Sequence, residues 1–155
     1  PLGKGLIQQL MKGKIAGHPI HVMIVHFPSA LYPFSVALDW IALGSGAVTF
    51  SASGYYSLLT AIGTSGLAMI FGVIDLLRIG SKDKAWNTAM IHAGLNVLWL
   101  LCFATLLGIR MKNDPCAIQG IGYLVSSTLF VFGMLYSNFL GGELILKHGI
   151  GKGDQ

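Results

Sequence analysis

Charged residues are scarce in this sequence of 155 residues. Aspartate, glutamate, lysine and arginine together make up 10% of it, whereas apolar residues make up 54%. A soluble domain of this size usually carries about a quarter charged residues. Because one hydrophobic core cannot hide so much apolar side chain from water, the composition excludes an ordinary soluble enzyme.

Cysteine is also scarce. The two cysteines, Cys102 and Cys116, match neither a CxxC pair nor a CxxCH motif. Their spacing excludes a structural zinc site, a c-type haem attachment and a disulfide framework. The net charge is +4, but most lysines and arginines lie at the ends of apolar stretches and form no basic face. This distribution indicates membrane topology and argues against a nucleic-acid partner.

Four apolar stretches of about 20 or more residues are each long enough to cross the hydrocarbon core of a bilayer as a helix. They run over residues 21–44, 55–79, 86–109 and 121–146. Short connections make successive helices antiparallel neighbours. We therefore predict an all-α fold, an integral membrane antiparallel four-helix bundle over residues 18–155. Residues 1–17 carry three lysines and apolar residues at helical spacing, which predicts an amphipathic interfacial helix.

The positive charges gather on one side of this predicted bundle. The amino end, the loop after the second span and the carboxyl end hold eight of the ten lysines and arginines, which are Lys4, Lys12, Lys14, Arg78, Lys82, Lys84, Lys147 and Lys152. The loop after the first span has none. The positive-inside rule then predicts a multi-pass protein of a bacterial or archaeal inner membrane with both termini in the cytoplasm.

Two histidines lie inside predicted spans. His26 and His92 each follow the start of a span by a few residues, on the first and third helices. Both therefore lie about 8–10 Å inside the hydrocarbon boundary, at matched depth. An imidazole in lipid is costly unless it is paired or ligating. Because two such imidazoles on different helices suit a bis-histidine haem b, we predict His26 and His92 as its axial ligands.

Three further histidines, His18, His21 and His148, lie on or near the same membrane side. On an ideal helix about 140° separates His21 from His26, so the two do not both point at one iron. His21, His18 and His148 are therefore reserve ligands, for a second haem or for the edge of a quinone.

The third span carries a polar residue near His92. Asn96 lies one turn later, and Trp99 and Phe103 continue the same face. The amide of Asn96 needs a partner in an apolar setting. It either holds the second nitrogen of a ligand or bonds another helix.

The second span carries a seam of small residues that ends in a carboxylate, in the order Thr64, Ala68, Gly72, Asp75. Such a seam lets helices approach closely, and it also lets a flat macrocycle lie against the backbone. Asp75 is expected to face inward because a lipid-facing carboxylate is costly. It either orients a histidine through its ring N–H or forms a salt bridge with Arg78.

Other polar residues and prolines have plainer interpretations. Arg78, Lys82 and Lys84 stand where haem propionates would emerge, but membrane orientation alone also explains them. Asp39 lies off the His26 face and is expected to cap or anchor the first helix. The i,i+4 spacing of Glu143, Lys147 predicts a structural ion pair. Proline residues interrupt the first span and are expected to kink it; they are Pro28 and Pro33.

Two motifs carry a family resemblance: GHPIH, which begins at Gly17, and VHFP, which begins at Val25. The sequence resembles a widespread microbial family of four-span membrane proteins of unknown function, over nearly the whole chain from Gly17. Val22 departs from the pattern, because many members carry a second proline there. Some members are joined to Rieske-type iron–sulfur or c-type cytochrome domains, which implies electron-transfer partners. The resemblance also implies that these positions matter: His18, His21, His26, Asp75, His92 and Asn96.

The functional hypothesis from the sequence is a b-type cytochrome, an electron-transfer subunit of a larger redox or respiratory complex. It holds one haem b, with a second haem and a quinone as open alternatives. No nucleophile–base pair or phosphate loop is present, so the chain is not expected to be an enzyme by itself. One rival is a non-haem protein that binds or transports zinc, copper or iron through the histidines. The other is a structural assembly subunit without a cofactor.

Overall fold

The structure is a computed structural model that describes residues 5, 9–11, 13–16 and 18–150. Within these residues, four helical spans are long and apolar enough to cross a membrane: Ile20–Ser45, Val48–Leu76, Trp86–Met111 and Ile121–Leu146. Their burial is low, and large apolar side chains cover the outside of the bundle. These features confirm the prediction of an all-α four-helix membrane bundle.

The first span consists of two helices, and each later span is one helix. The helices are α1 (Ile20–Ile24), α2 (His26–Ser45), α3 (Val48–Leu76), α4 (Trp86–Met111) and α5 (Ile121–Leu146). Helix α2 packs against α3 and α5, and α4 packs against the same two helices. The four long helices therefore close a ring. We call its two ends the terminal end, where α1 and α4 begin and α3 and α5 end, and the opposite end.

Helix α3 begins at Val48, earlier than the predicted start at residue 55, and it ends at Leu76. The predicted span missed its first two turns because they are rich in hydroxyl residues. Ser53 donates a hydrogen bond to the carbonyl of Thr49, one turn earlier in the helix, and Ser51 donates to the carbonyl of Ala117. A hydroxyl that is satisfied within its own helix does not prevent that helix from crossing lipid.

The first span is broken at Val25, between α1 and α2. Pro28 lies in the first turn of α2 and has no N–H to donate to a carbonyl one turn earlier. The chain therefore restarts its helix just before this proline, whereas Pro33 is accommodated inside α2. The interruption is confined to Val25, whose φ and ψ stay helical and whose N–H still donates to the carbonyl of His21, so α1 and α2 together form one span.

The segment predicted as an interfacial helix is only partly described. Residues 9–11 are helical. After them, strand β1 (Lys14–Ile15) pairs antiparallel with β2 (His18–Pro19), and Ala16 turns the chain with a positive φ of 50°. The structure therefore has a strand and a turn, rather than helix, over residues 14–16. Residues 1–4, 6–8, 12 and 17 lie outside the described part of the chain.

The tightest packing lies toward the opposite end of the bundle. The ring of Tyr32 on α2 stacks on Phe103 of α4, with 4.0 Å between their centroids and 19° between their planes. Phe103 is only 1% exposed, and aliphatic side chains from α3, α4 and α5 complete this core. A cavity occupies the other half of the bundle, toward the terminal end. The packing thus separates a closed half from a half with room for a ligand.

Candidate functional site

Two histidine rings meet inside the terminal half of the bundle. His21 comes from α1 and His92 from α4, and their ring centroids lie 6.5 Å apart. The rings stand nearly perpendicular, with 80° between their planes. The sequence prediction paired His92 with His26, whereas the ring that the structure places beside His92 is that of His21.

Each ring is held by a backbone carbonyl of a neighbouring helix. The Nδ1–H of His21 donates to the carbonyl of Ala68 on α3, at 2.8 Å. The Nδ1–H of His92 donates to the carbonyl of Ser137 on α5, also at 2.8 Å. A neutral imidazole that donates from Nδ1 carries its lone pair on Nε2. Both rings therefore have the tautomer in which Nε2 can bind a metal.

A glycine lies beside each ring, one helical turn beyond the carbonyl that holds it. A Cβ built on Gly72 of α3 would come within 3.1 Å of the ring of His21. A Cβ built on Gly141 of α5 would come within 2.9 Å of Cε1 of His92. A methyl group at either glycine would therefore require the neighbouring ring to shift. The predicted seam at Gly72 makes room for an imidazole.

Asn96 covers the ring of His92. Its Nδ2 donates to the carbonyl of His92 at 2.9 Å, as a side chain can within one helical turn. The same Nδ2 lies 3.3 Å from Nδ1 and 3.0 Å from Nε2 of the ring. An atom almost equally distant from both ring nitrogens stands over the face of the ring, since the in-plane position would collide with Cε1. The amide therefore leaves the in-plane lone pair of Nε2 accessible.

The two rings line a cavity of about 460 Å³ that is bounded by residues of all the helices. This volume is in the range of small-molecule and cofactor sites, about 300–1,000 Å³. Its walls are mainly apolar, and the polar groups deeper in the bundle include Tyr32, whose hydroxyl is 3.1 Å from Oγ of Ser65. His26 is exposed but also lines this cavity. The cavity, which we call the main cavity, is therefore shaped for an apolar ligand with a few polar contacts.

The remaining histidines lie elsewhere. His18 is exposed on β2, and its Nδ1 donates to the carbonyl of Ala16 at 3.1 Å. His148 follows the end of α5. Neither residue is among those that line the main cavity. The structure thus places His21, His26 and His92 at one site and does not add the other two.

The carboxylate of Asp75 faces the terminal end of the main cavity. It lies 3.9 Å from the guanidinium of Arg78, which is one of the two predicted arrangements. The other predicted arrangement, in which Asp75 orients a histidine through a ring N–H, is not formed through Nδ1 of His21, which donates to the carbonyl of Ala68. Nearby on α5, the predicted ion pair between Glu143 and Lys147 is present.

The arrangement of the two histidines can be compared with what a haem needs. Two metal–nitrogen bonds of about 2 Å, with about 1 Å from each nitrogen to its ring centre, put opposed axial imidazoles about 6 Å apart. The observed centroid distance is 6.5 Å. Both rings also line the main cavity, whose walls are mainly apolar. The residues present therefore fit a bis-histidine macrocycle.

A bare metal ion needs more protein ligands. Zinc in proteins takes three or four side-chain ligands in most sites. In the part of the chain that the structure describes, no three His, Cys, Asp or Glu side chains lie close enough together to hold an ion.

Sequence reasoning missed a buried ion pair at the opposite end. Arg110 on α4 is 0% exposed and Asp39 on α2 is 1% exposed, and they bond at 2.9 Å. The guanidinium also donates to Ser51 of α3 and to the carbonyl of Pro115. The signal was available, because an acid and a base in apolar spans at the same membrane level must find each other. Asp39 does anchor the first span, as predicted, but through this partner.

The comparisons with known proteins agree with the architecture. The family model described as "Predicted membrane protein (DUF2231)" matches residues 17–154. No curated protein and no solved structure matches the chain. The match spans nearly all of the sequence, including the four spans and both histidines of the central pair. The chain therefore belongs to the DUF2231 family of predicted membrane proteins.

Proposed function

We propose that this protein binds haem b within the membrane and transfers electrons as a subunit of a larger redox assembly. The observation that carries the proposal is the pair His21 and His92, with centroids 6.5 Å apart and both Nδ1–H groups donated to backbone carbonyls. This pair replaces His26 and His92 as the proposed axial ligands. A bound haem b supplies a one-electron couple between ferric and ferrous iron.

The chain's own residues have distinct tasks in this proposal. The carbonyls of Ala68 and Ser137 fix the orientation of the two imidazoles and raise their basicity as ligands. The apolar walls of the main cavity keep water away from the macrocycle. Asn96 keeps its amide over the ring of His92, where its dipole influences the ligand. These are the means by which the protein would set the reduction potential.

The test is a reduced-minus-oxidised optical spectrum of the purified full chain in detergent, with haem quantified by pyridine extraction. We expect an α-band and about one haem per chain in the wild type. His21→Ala and His92→Ala are each expected to abolish it, because each removes one axial nitrogen. His26→Ala is the matched control from the same cavity wall, and His148→Ala is the control from outside the cavity.

The variants also separate the competing hypotheses. Loss of haem in His26→Ala and retention in His21→Ala would restore the pairing predicted from sequence and contradict ours. Stoichiometric metal without porphyrin in elemental analysis would favour the non-haem alternative. A third outcome is that wild-type protein from haem-sufficient cells contains neither haem nor metal, and that the double change His21→Ala, His92→Ala lowers only stability. This outcome would favour a structural subunit.

The proposed membrane orientation is supported by the positions of the positive charges, and the proposed partners are supported by the family resemblance. The excess of lysine and arginine at the terminal end supports an orientation with both termini in the cytoplasm. The resemblance to proteins joined to Rieske-type or c-type cytochrome domains supports membrane redox subunits of those kinds as partners. Co-purification from membranes under mild detergent, with and without the His21→Ala change, tests this part separately.

A further inference from the structure

A second, smaller cavity adjoins the main cavity at the terminal end. Its volume is about 210 Å³, and we call it the mouth pocket. Its walls are formed by Lys14, Pro19, Asp75, Arg78, Ile79, Gly149 and Ile150. Three of these residues, Asp75, Ile79 and Ile150, also line the main cavity. A ligand that fills the main cavity therefore borders the mouth pocket across a shared wall.

The mouth pocket contains two cationic side chains and one carboxylate. Lys14 comes from β1 and Arg78 from the residues after α3, and Asp75 lies near enough to interact electrostatically with both. The sequence placed three cations, Arg78, Lys82 and Lys84, where haem propionates would emerge. Of these, Arg78 lines the mouth pocket, whereas Lys82 and Lys84 do not. Lys14 and Arg78 thus bring two cationic groups to one pocket, and cationic groups that line a cavity favour an anionic ligand group.

The strand pair fixes Lys14 in this position. The N–H of Ile20 donates to the carbonyl of Gly13 at 2.8 Å, which ties the start of β1 to the start of α1. Gly13 has a positive φ of 62°, and a Cβ built on it would lie 3.2 Å from Oδ1 of Asp75. The backbone thus passes directly against the carboxylate. Lys14 follows Gly13 in the chain, so it is held at the pocket by this close approach.

We infer that Lys14 and Arg78 bind the carboxylates of the macrocycle and thereby set which edge of it faces the terminal end. The inference rests on the proposed function. Haem b is an apolar macrocycle with two carboxylates on one edge, and a carboxylate is costly in an apolar cavity unless it meets a cation. The mouth pocket is where the main cavity adjoins two cations, and guanidinium groups pair well with carboxylates.

The test compares two ligands that differ only in charge at that edge. Haem-free full-length protein from haem-limited cells is placed in zwitterionic nanodiscs and titrated with iron protoporphyrin IX or with its dimethyl ester. Binding is followed by the Soret absorbance. We expect wild type to prefer the diacid by about tenfold or more. The double change Lys14→Gln, Arg78→Gln is expected to remove the preference and leave ester binding within about twofold.

The control is Lys82→Gln, Lys84→Gln, which removes two cations from the adjacent loop and is expected to keep the wild-type preference. Equal binding of diacid and ester by wild type would overturn the inference and leave the proposed function intact. A preference retained by Lys14→Gln, Arg78→Gln would overturn it as well. Binding of neither ligand by wild type would instead overturn the proposed function. A second set of nanodiscs contains anionic phospholipid. If wild type shows no diacid preference but binds this lipid, and Lys14→Gln, Arg78→Gln does not, the pocket is a headgroup site and the inference is wrong.

Discussion

Gly141 lies against the imidazole of His92 so closely that a Cβ on this glycine would come within 2.9 Å of Cε1 of the ring. The carbonyl that holds the same ring belongs to Ser137, one turn earlier on α5. On α3, Ala68 and Gly72 stand in the same relation to His21. The two histidines are thus held by equivalent devices, a carbonyl and a glycine one turn apart. This arrangement makes the glycines sensitive probes of the proposed site.

Gly141→Ala is expected to displace the ring of His92 and to weaken haem binding. Overpacking of this kind costs about 1–3 kcal/mol, which corresponds to roughly fivefold to 150-fold in affinity. The measurement is a haem titration of haem-free protein. Gly122→Ala on the same helix is the matched control, because a Cβ at Gly122 meets no atom within 4 Å and Gly122 does not line the main cavity. Equal losses in the two variants would show that the space beside His92 has no special role.

Gly72→Ala is expected to act on the other ring in the same way, but less strongly. Its Cβ would come 3.1 Å from His21, a distance that a small shift of the ring relieves. Gly66→Ala on the same helix meets no atom within 4 Å and raises helix propensity by about 1 kcal/mol. In haem titrations we therefore expect Gly66→Ala to bind haem about as tightly as wild type. Gly72→Ala should bind it more weakly, and Gly141→Ala most weakly. A loss in Gly66→Ala as large as in Gly72→Ala would contradict this order.

Arg110→Met is expected to destabilise the bundle by about 3–5 kcal/mol, because it leaves the carboxylate of Asp39 buried without its partner. One oxygen of that carboxylate, Oδ1, already has no hydrogen-bond partner. Unfolding in mixed detergent measures the loss. Lys147→Met is the contrasting variant: its pair with Glu143 is 65% exposed at the lysine, so we expect less than about 1 kcal/mol. Similar losses of unfolding free energy in the two variants would show that the buried pair of Arg110 and Asp39 does not stabilise the contact between its helices.

The Arg110→Met variant also tests whether the opposite end of the bundle affects haem binding in the main cavity. Arg110 and Asp39 lie outside the lining of the main cavity. At a temperature where Arg110→Met remains folded, its haem affinity should therefore be within about threefold of wild type, since distant sites contribute nearly independently. A haem titration at low temperature measures this. A much larger loss of affinity would indicate that the opposite end shapes the cavity.

The orientation in the membrane can be measured with two single-cysteine variants. Both start from Cys102→Ser, Cys116→Ser, and they add Ser81→Cys in the loop after α3 or Asn113→Cys in the loop after α4. Both added positions are exposed. The positive-inside rule predicts that a membrane-impermeant maleimide labels only the Asn113→Cys variant in intact cells, and both variants after lysis. The reverse pattern in intact cells would invert the proposed topology.

Much of the fold could be predicted from local sequence. The last span was predicted at 121–146 and is observed as Ile121–Leu146, and the third extends only to Met111 beyond its predicted end. Apolar length is a local property, so it can be read without knowing which helices touch. The early start of α3 at Val48 was missed because hydropathy counts a hydroxyl as polar even when its own helix satisfies it.

The sequence by itself determined that this chain crosses the membrane four times and that it carries imidazoles near one end of the bundle. Only the tertiary structure decided which imidazole meets His92. His21, at the start of the first span, lies beside His92, whereas matched depth along the spans had favoured His26. Both rings donate to backbone carbonyls of neighbouring helices and lie beside glycines. Asp39 pairs with Arg110 on another helix. Such contacts depend on how helices rotate and pack against one another, and no pattern within a single helix encodes that.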